Sequence, residues 1–502
     1  MVKLLTISSN RISVKRYITC IIKGMTVLYI LAGHSLMAQI TLPKIIGHNM
    51  VLQRNKPVYI WGYATSGEHI TVKFVDQIKK TTTDTSGHWL VQLGPLPASD
   101  KPEEMIISGS NTITLENILV GEVWLCSGQS NMEYSMRKNS KASSSVKNLN
   151  PAEDESEVAK NPNVRIFLVN RKFMSPDPGH KGWDIARDSA LKPFSAIGYF
   201  FAKELYKELH VPIGIISSAV SGSRIEPWIP SEAFASSSFF NKNDTLKISG
   251  DPGKFYAGMI QPLSPFGLRG FLWYQGETNC FLSETIQYAY KMQILINSWR
   301  KAWLDQSLPF YYVQIAPFYY SRSKQKIPLT DETLPKFREA QALALKLPKT
   351  GMAVITDLVD SLDGIHPPYK SEVARRLSLL ALAKDYGKNI VFSGPVYKQM
   401  KVIGNTIEIT FDYCGSGLIS RDGKSLDWFT IAGADGKFVP ATAVIEGNKV
   451  VISSSSVPSP VEARFAWNEI AQPNLFNKEG LPAVPFRTNN PLIEWYHYSD
   501  HN

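Results

Sequence analysis

Between Gly121 and about Asp385, short apolar runs alternate with amphipathic stretches, and this alternation constrains the fold more than any other feature of the chain. The runs are EVWLC (Glu122 to Cys126), IGIIS (Ile213 to Ser217), GFLWY (Gly270 to Tyr274), FYYVQI (Phe310 to Ile315) and MAVIT (Met352 to Thr356). A short continuous apolar run suits a strand covered on both faces, as in a parallel sheet. Among them, Ile197, Phe201, Leu205 and Leu209 recur at four-residue steps behind Ser195, a good helix cap. Tyr288, Met292, Leu295, Trp299 and Trp303 make a second stripe, and Val373, Leu377 and Leu380 a third. Each stripe reads as core packing, and the whole predicts an α/β region with a parallel sheet between helices.

The flanks read differently. Residues 39–119 carry short β-rich runs, VYIWG (Val58 to Gly62), ITVKF (Ile70 to Phe74), HWLVQL (His88 to Leu93) and EMIISG (Glu104 to Gly109), punctuated by Ser66-Gly67 and Ser86-Gly87. They predict a small β-sandwich. Residues 389–502 return to β, with TIEITF, FTIAG, KVVISSSS and EARFAW, and Gly447-Asn448 predicts a hairpin joining Val444-Ile445 to Val450-Val451. A chain of 502 residues exceeds what one core usually serves, so the division is 39–119, 120–388 and 389–502. The serines Ser143 to Ser145 and the acidic Glu153 to Glu157 suit a surface loop.

Residues 1–38 predict a signal peptide, and hence export to a periplasmic or extracellular place. Lys3, Arg11, Lys15, Arg16 and Lys23 precede or open an apolar run, Met25 to Ala32, with Ala38 offered for cleavage. Those five cations account for half of the formal +10, leaving 10 − 5 = +5 on the rest. The remaining cations are scattered, which argues against a nucleic-acid partner. No later run is apolar for long enough to suggest stable membrane insertion. Of Cys20, Cys126, Cys280 and Cys414, three lie beyond residue 38, so at most one disulfide forms there. No Cys/His spacing suggests a metal, and the chemistry below needs no cofactor.

In α/β sheets, chemistry gathers beyond the carboxyl ends of strands. Four such ends carry unusual polar groups. CSGQSNMEY (Cys126 to Tyr134) places Ser130 behind Gly128, which allows a sharp turn, but it does not match the G-x-S-x-G elbow. SSAVSGSRIEPW (Ser217 to Trp228) brings Gly222, whose backbone N–H can approach a ligand, with Arg224 and Glu226 beside it. WYQGETN (Trp273 to Asn279) brings Gln275, Glu277 and Asn279, suited to binding, to oxyanion donation or to capping a helix. DSLDGIHPPYK (Asp360 to Lys370) sets Asp363 three residues before His366 in a loop stiffened by Pro367 and Pro368. A carboxylate so close can hold one imidazole nitrogen and fix the tautomer. Each motif alone also suits a simple turn. Together they pair a hydroxyl with a base and with donors for an oxyanion.

The ordered set GQSNM, SGSRIEPW, WYQGETN and DGIHP resembles the SGNH hydrolase superfamily in its sialate O-acetylesterase branch, and PNLFNKEGLPAVPFRT (Pro473 to Thr488) resembles the closing segment of that branch. The resemblance implies an SGNH-type, flavodoxin-like three-layer α/β/α catalytic domain with β-regions at both ends. It implies a serine esterase that removes acetyl groups from sugars, most typically 9-O-acetylated sialic acid. Ser130 matches the nucleophile, His366 the base and Asp363 the acid, with Asp360 as rival to Asp363. The oxyanion site falls to the N–H groups of Ser130 and Gly222 and the amide of Gln275. Gln129, Asn131, Arg224, Glu277 and Asn279 fall to substrate binding, and Arg224 is a candidate partner for a sugar carboxylate. The chain departs from the pattern at Ser221, where a second glycine is usual, and at Gly364, where an acid or Asn is usual. Two other readings stay open: an esterase of acetylated xylan or another polysaccharide, and a carbohydrate-binding protein without catalysis. Trp124, Trp228, Trp273 and Tyr274 suit core packing better than sugar stacking.

Overall fold

The computed structural model describes residues 39–142, 147, 149–151, 153–169, 182–241, 248, 250–324 and 326–497. The export segment expected at residues 1–38 and the serines Ser143 to Ser145 lie outside them.

Six parallel strands form the central sheet. They are β7 (Thr112–Gly128), β8 (Val164–Val169), β10 (Ile213–Ala219), β11 (Gly270–Tyr274), β12 (Phe310–Val313) and β13 (Thr350–Ala353). Their order is β13-β12-β11-β7-β10-β8, with β9 (Trp183–Ile185) antiparallel at the edge. Strands β1 to β6 precede them: Val51–Gln53, Val58–Tyr63, His69–Phe74, Gln77–Thr82, His88–Leu93 and Ser99–Ser108. The order reverses beside β7, whose neighbours β10 and β11 both come later in the chain. A crevice opens at such a switch point, outside the carboxyl ends of the strands.

Side chains alternate across a strand, so Trp124 and Cys126 face one way and Leu125 and Ser127 the other. The helix α3 (Ala196–Leu209) packs on the first face: Phe201 meets Trp124 edge-on, and a Cβ on Gly198 would press on the Cys126 sulfur. Phe271 and Trp273 share the second face with Leu125 and Ser127 by register, and there they pack on Trp299 of α5 (Ile286–Ala302). Helices therefore cover both faces, as the apolar runs require. Ser195 caps α3 as expected, its Oγ accepting from the Gly198 N–H at 3.1 Å. The helix α7 (Lys370–Lys384) packs on α3 and on β12 and β13.

The boundary expected at residue 119 falls inside β7. The first half of this strand pairs with β6 and β1, and its second half is the centre of the parallel sheet. One apolar cluster accordingly joins Ile40 to Leu382, together with Val484, Leu492 and Tyr496 from the end of the chain. A separate cluster spans Ile407 to Phe486. Within that region the expected hairpin is present, with Val444 opposite Val451 and Ile445 opposite Val450. Cys126, Cys280 and Cys414 are all free and buried. No helix among the described residues is long and apolar enough to cross a membrane.

Candidate active site

The crevice beside β7 collects loops from the ends of β7, β10 and β11 and from the segment after β13. Gly128 closes β7 at φ +139°, and a Cβ there would collide with the Tyr274 carbonyl on β11. The chain then turns at once into the short helix α1 (Ser130–Glu133). Ser130 is its first residue, so its N–H has no intrahelical acceptor. The N–H groups of Ser130 and Gly222 have no hydrogen-bond partner among the described residues. Gly128→Ala should misplace Ser130 and lower kcat/KM by about 10²-fold, with a destabilisation of about 1–3 kcal/mol. Parallel measurement of ester turnover and urea midpoint checks both effects.

His366 Nε2 lies 2.8 Å from Ser130 Oγ, although the two residues are 236 positions apart. His366 is exposed as a whole residue. Partial loss of hydration, with the nearby cations Lys370 and Lys138, lowers its pKa to about 4. The imidazole is therefore neutral at pH 7, as a base must be.

The structure does not bring Asp363 to this ring. Its carboxylate is 81% exposed and lies 3.6 Å from Arg322, on the solvent side of the loop. The rival Asp360 accepts a hydrogen bond from the Tyr369 hydroxyl. Among the described residues no carboxylate is hydrogen-bonded to His366. A loop running D-G-I-H can turn its acid to either side, and spacing alone does not choose.

Gln275 is also placed elsewhere than the oxyanion site. It is fully buried, and its two amide hydrogens face Asn279 Oδ1 at 2.7 Å and Gln129 Oε1 and the Ser223 carbonyl at 3.2 Å. Its Oε1 accepts from the Tyr288 hydroxyl at 3.0 Å. An amide so saturated has no hydrogen to spare. Gln129 accepts from Gln275 Nε2 and from the N–H groups of Gly276 and Thr278, at 3.2 to 3.4 Å. Asn279 accepts from the Ile225 N–H at 3.0 Å and donates to Glu226 and Glu284, both at 3.2 Å. Gln129, Gln275 and Asn279 thus form a buried brace that fixes the β10 and β11 loops. Glu226 lies in a buried pair with Lys291 at 2.8 Å. Arg224 packs its stem near Gly250, whose added Cβ would lie 3.0 Å from Arg224 Cδ. Asn131 and Glu277 are buried and bonded to each other at 2.6 Å. Trp124, Trp228, Trp273 and Tyr274 are all core residues at 0 to 1% exposure.

Three roles escaped the motif reading. Glu133 accepts from the Ser221 N–H at 2.7 Å and from the Ser221 hydroxyl, tying α1 to the Gly222 loop. Lys370 is fully buried at the start of α7. A lysine in a first helical turn opposes the helix dipole, and that mismatch was the available signal. Asp357 binds Arg376 and Arg421, which only tertiary contact could reveal. Beside Ser130, a cavity of about 340 Å³ is lined by Ser130, Glu133, Arg137, Lys138, Lys192 and Ser221, among others.

Fold and site together are those of an ester hydrolase. A family model described as carbohydrate esterase, sialic acid-specific acetylesterase, matches residues 120–381. The chain belongs to that family. It is similar to a carbohydrate acetylesterase from Xanthomonas citri of known crystal structure, with 35% identity and a TM-score of 0.79, covering 90% of this chain and 100% of the other. It is also similar to the sialate O-acetylesterases of Homo sapiens and Pongo abelii, each 28% identical over 88% of this chain and 91% of theirs.

Proposed function

We propose that the chain hydrolyses O-acetyl esters of sugars, with 9-O-acetylated sialic acid as substrate, through an acyl-enzyme on Ser130. The 2.8 Å contact between Ser130 Oγ and His366 Nε2 carries this reading. Helices on both faces of the parallel sheet support assigning the catalytic region to the SGNH-type three-layer fold. His366 Nε2, unprotonated, takes the Ser130 proton as Oγ attacks the acetyl carbonyl. The N–H groups of Ser130 and Gly222 receive the oxyanion, and the bonds from Ser221 to Glu133 hold the Gly222 loop in place. His366 then gives that proton to the departing sugar oxygen, which leaves as a hydroxyl, and activates the water that releases acetate. The pair acts as a dyad, without Asp363.

The cations lining the cavity favour an acidic sugar over a neutral one. Among the lining residues, Arg137 and Lys138 stand against the single acid Glu133, which is engaged with Ser221, while Lys192 pairs with Glu157 at 2.5 Å. A guanidinium can grip a carboxylate with two parallel bonds. Acetate release is to be compared on 9-O-acetylated sialic acid and acetylxylan. Faster release from the acidic sugar is expected, and Arg137→Ala should raise KM for it about tenfold while raising KM for acetylxylan much less, in line with loss of one charged hydrogen bond. Preference for acetylxylan would favour a polysaccharide esterase instead.

A further inference from the structure

Behind Ser130 and His366 lies a buried polar cluster that the chemical steps do not consume. Asn131, Glu277 and Lys370 come from three separate elements, and none is more than 2% exposed. Asn131 follows the nucleophile in α1. Its Nδ2 donates to Glu277 Oε1 at 2.6 Å and to the Ile365 carbonyl at 3.1 Å. Its Oδ1 accepts from Lys370 Nζ at 2.6 Å. The Lys370 ammonium also sits 4.7 Å from the Tyr134 ring centre and 5.5 Å from that of Tyr274. One amide therefore joins the residue after the nucleophile to the residue before the base.

Burying charged groups incurs a desolvation penalty that their attraction seldom exceeds, and apolar residues of similar volume often serve stability as well. Charges placed directly behind the reacting pair point to another role. We propose that Lys370 is a positioning residue of this esterase: by gripping Asn131 it holds the Ile365–His366 peptide against α1, and it keeps a positive charge behind the imidazole. The proposal rests on the reading of Ser130 and His366 as nucleophile and base.

The charge acts on the base through space. Lys370 from α7 and Lys138 from α2 (Met136–Ser140) are the cations that oppose a charged ring, together with burial. Glu277 lies behind Lys370, bonded to Asn131, and Tyr134 and Tyr274 are the rings over which the ammonium sits. The acids of the base's own loop are occupied elsewhere, Asp360 with Tyr369 and Asp363 with Arg322. Burial lowers the pKa of Lys370 itself to about 7, against the attraction of Glu277, so Lys370 is charged throughout the acid range. A ring flanked by such cations stays neutral and ready as a base well below pH 6.5, with no carboxylate bonded to it.

The test is the pH dependence of kcat/KM for p-nitrophenyl acetate in the full chain. In the unmodified protein the acid limb should lie near pH 4, where His366 takes up its proton. Lys370→Met should move that limb upward by roughly one pH unit or more, toward the ordinary histidine value. It should also lower kcat by about 10²-fold with little change in KM, as expected for a misheld base. A lysine serving structure alone would lower activity at every pH and leave the limb in place. Because Lys370→Met strands Glu277, the double variant Lys370→Met/Glu277→Gln, neutral on both sides, is measured beside it with the same expectation. A limb unchanged in either folded variant overturns the proposal. So does a limb at pH 6.5 or above in the unmodified protein, which needs no variant to read. Absence of Ser130-dependent hydrolysis in the unmodified protein would instead remove the esterase reading itself.

Discussion

Ser130→Ala should lower kcat for ester hydrolysis by about 10⁵–10⁶-fold while leaving the fold intact. Among the described residues the Ser130 hydroxyl is the one group hydrogen-bonded to the His366 ring, so no neighbouring nucleophile there can replace it. What remains should be the modest acceleration that binding and the oxyanion donors give to a direct attack by water, about 10³–10⁴ over the uncatalysed reaction. Ser130 is partly buried at the first position of a four-residue helix, and removing one oxygen creates no large cavity. The urea midpoint should therefore stay within the range of a surface substitution, about 0.5 kcal/mol. Acetate release under substrate saturation, measured against a mock purification, checks the result. Activity retained within tenfold would mean that another group attacks the ester and that the Ser130–His366 contact is incidental.

Asp357→Ala should destabilise the protein by about 3–5 kcal/mol, the largest expected effect on stability. Asp357 binds Arg376 through two bonds of 2.6 and 2.8 Å, and Arg421 at 2.8 Å. The Asp357 and Arg376 side chains are each 5% exposed. Removing the carboxylate leaves the buried Arg376, among the described residues, with Glu372 at 2.8 Å as its one counter-charge. It also releases Arg421, which belongs to the C-terminal β-region and is pinned here to the catalytic region. Lys147 adds to the same anchor, donating to the carbonyls of Asp357 and of Val359, the latter at 2.9 Å. Since the loop bearing His366 leaves from this point, activity should fall with the folded fraction. A lowered urea midpoint at unchanged slope is the measurement. The pH dependence has a definite sign. Burial pushes the Asp357 carboxyl up, but Arg376 and Arg421 overcome this and hold it below its ordinary value. Its contribution is thus present above the unfolded carboxylate value of about 3.9 and is lost as pH falls through the lower folded value. The midpoints of the two proteins should converge in that acid range, and a constant gap down to pH 2 would show that the pair is not the source of the difference.

Periodicity made the sheet and its helices legible because a strand buried on both faces must be apolar throughout, whereas a helix needs only one apolar stripe. The strands, the Ser195 cap and the Gly447-Asn448 hairpin all follow from such local rules. The same local rules suggested a boundary near residue 119, yet β7 runs through it. A strand can change partners along its length without any change in its own residues, so composition carries no mark of the junction.

The amino-acid sequence by itself determined the strand–helix alternation, the glycine turn before Ser130 and the residues able to act as nucleophile and base. Only the tertiary structure decided which polar groups meet. It set His366 against Ser130, turned Asp363 out toward Arg322, used up the Gln275 amide in a buried brace and bonded Lys370 to Asn131. The physical reason is range. Backbone preference and apolar periodicity act over a few residues, while a hydrogen bond depends on a few tenths of an ångström between groups that the chain separates by hundreds of positions.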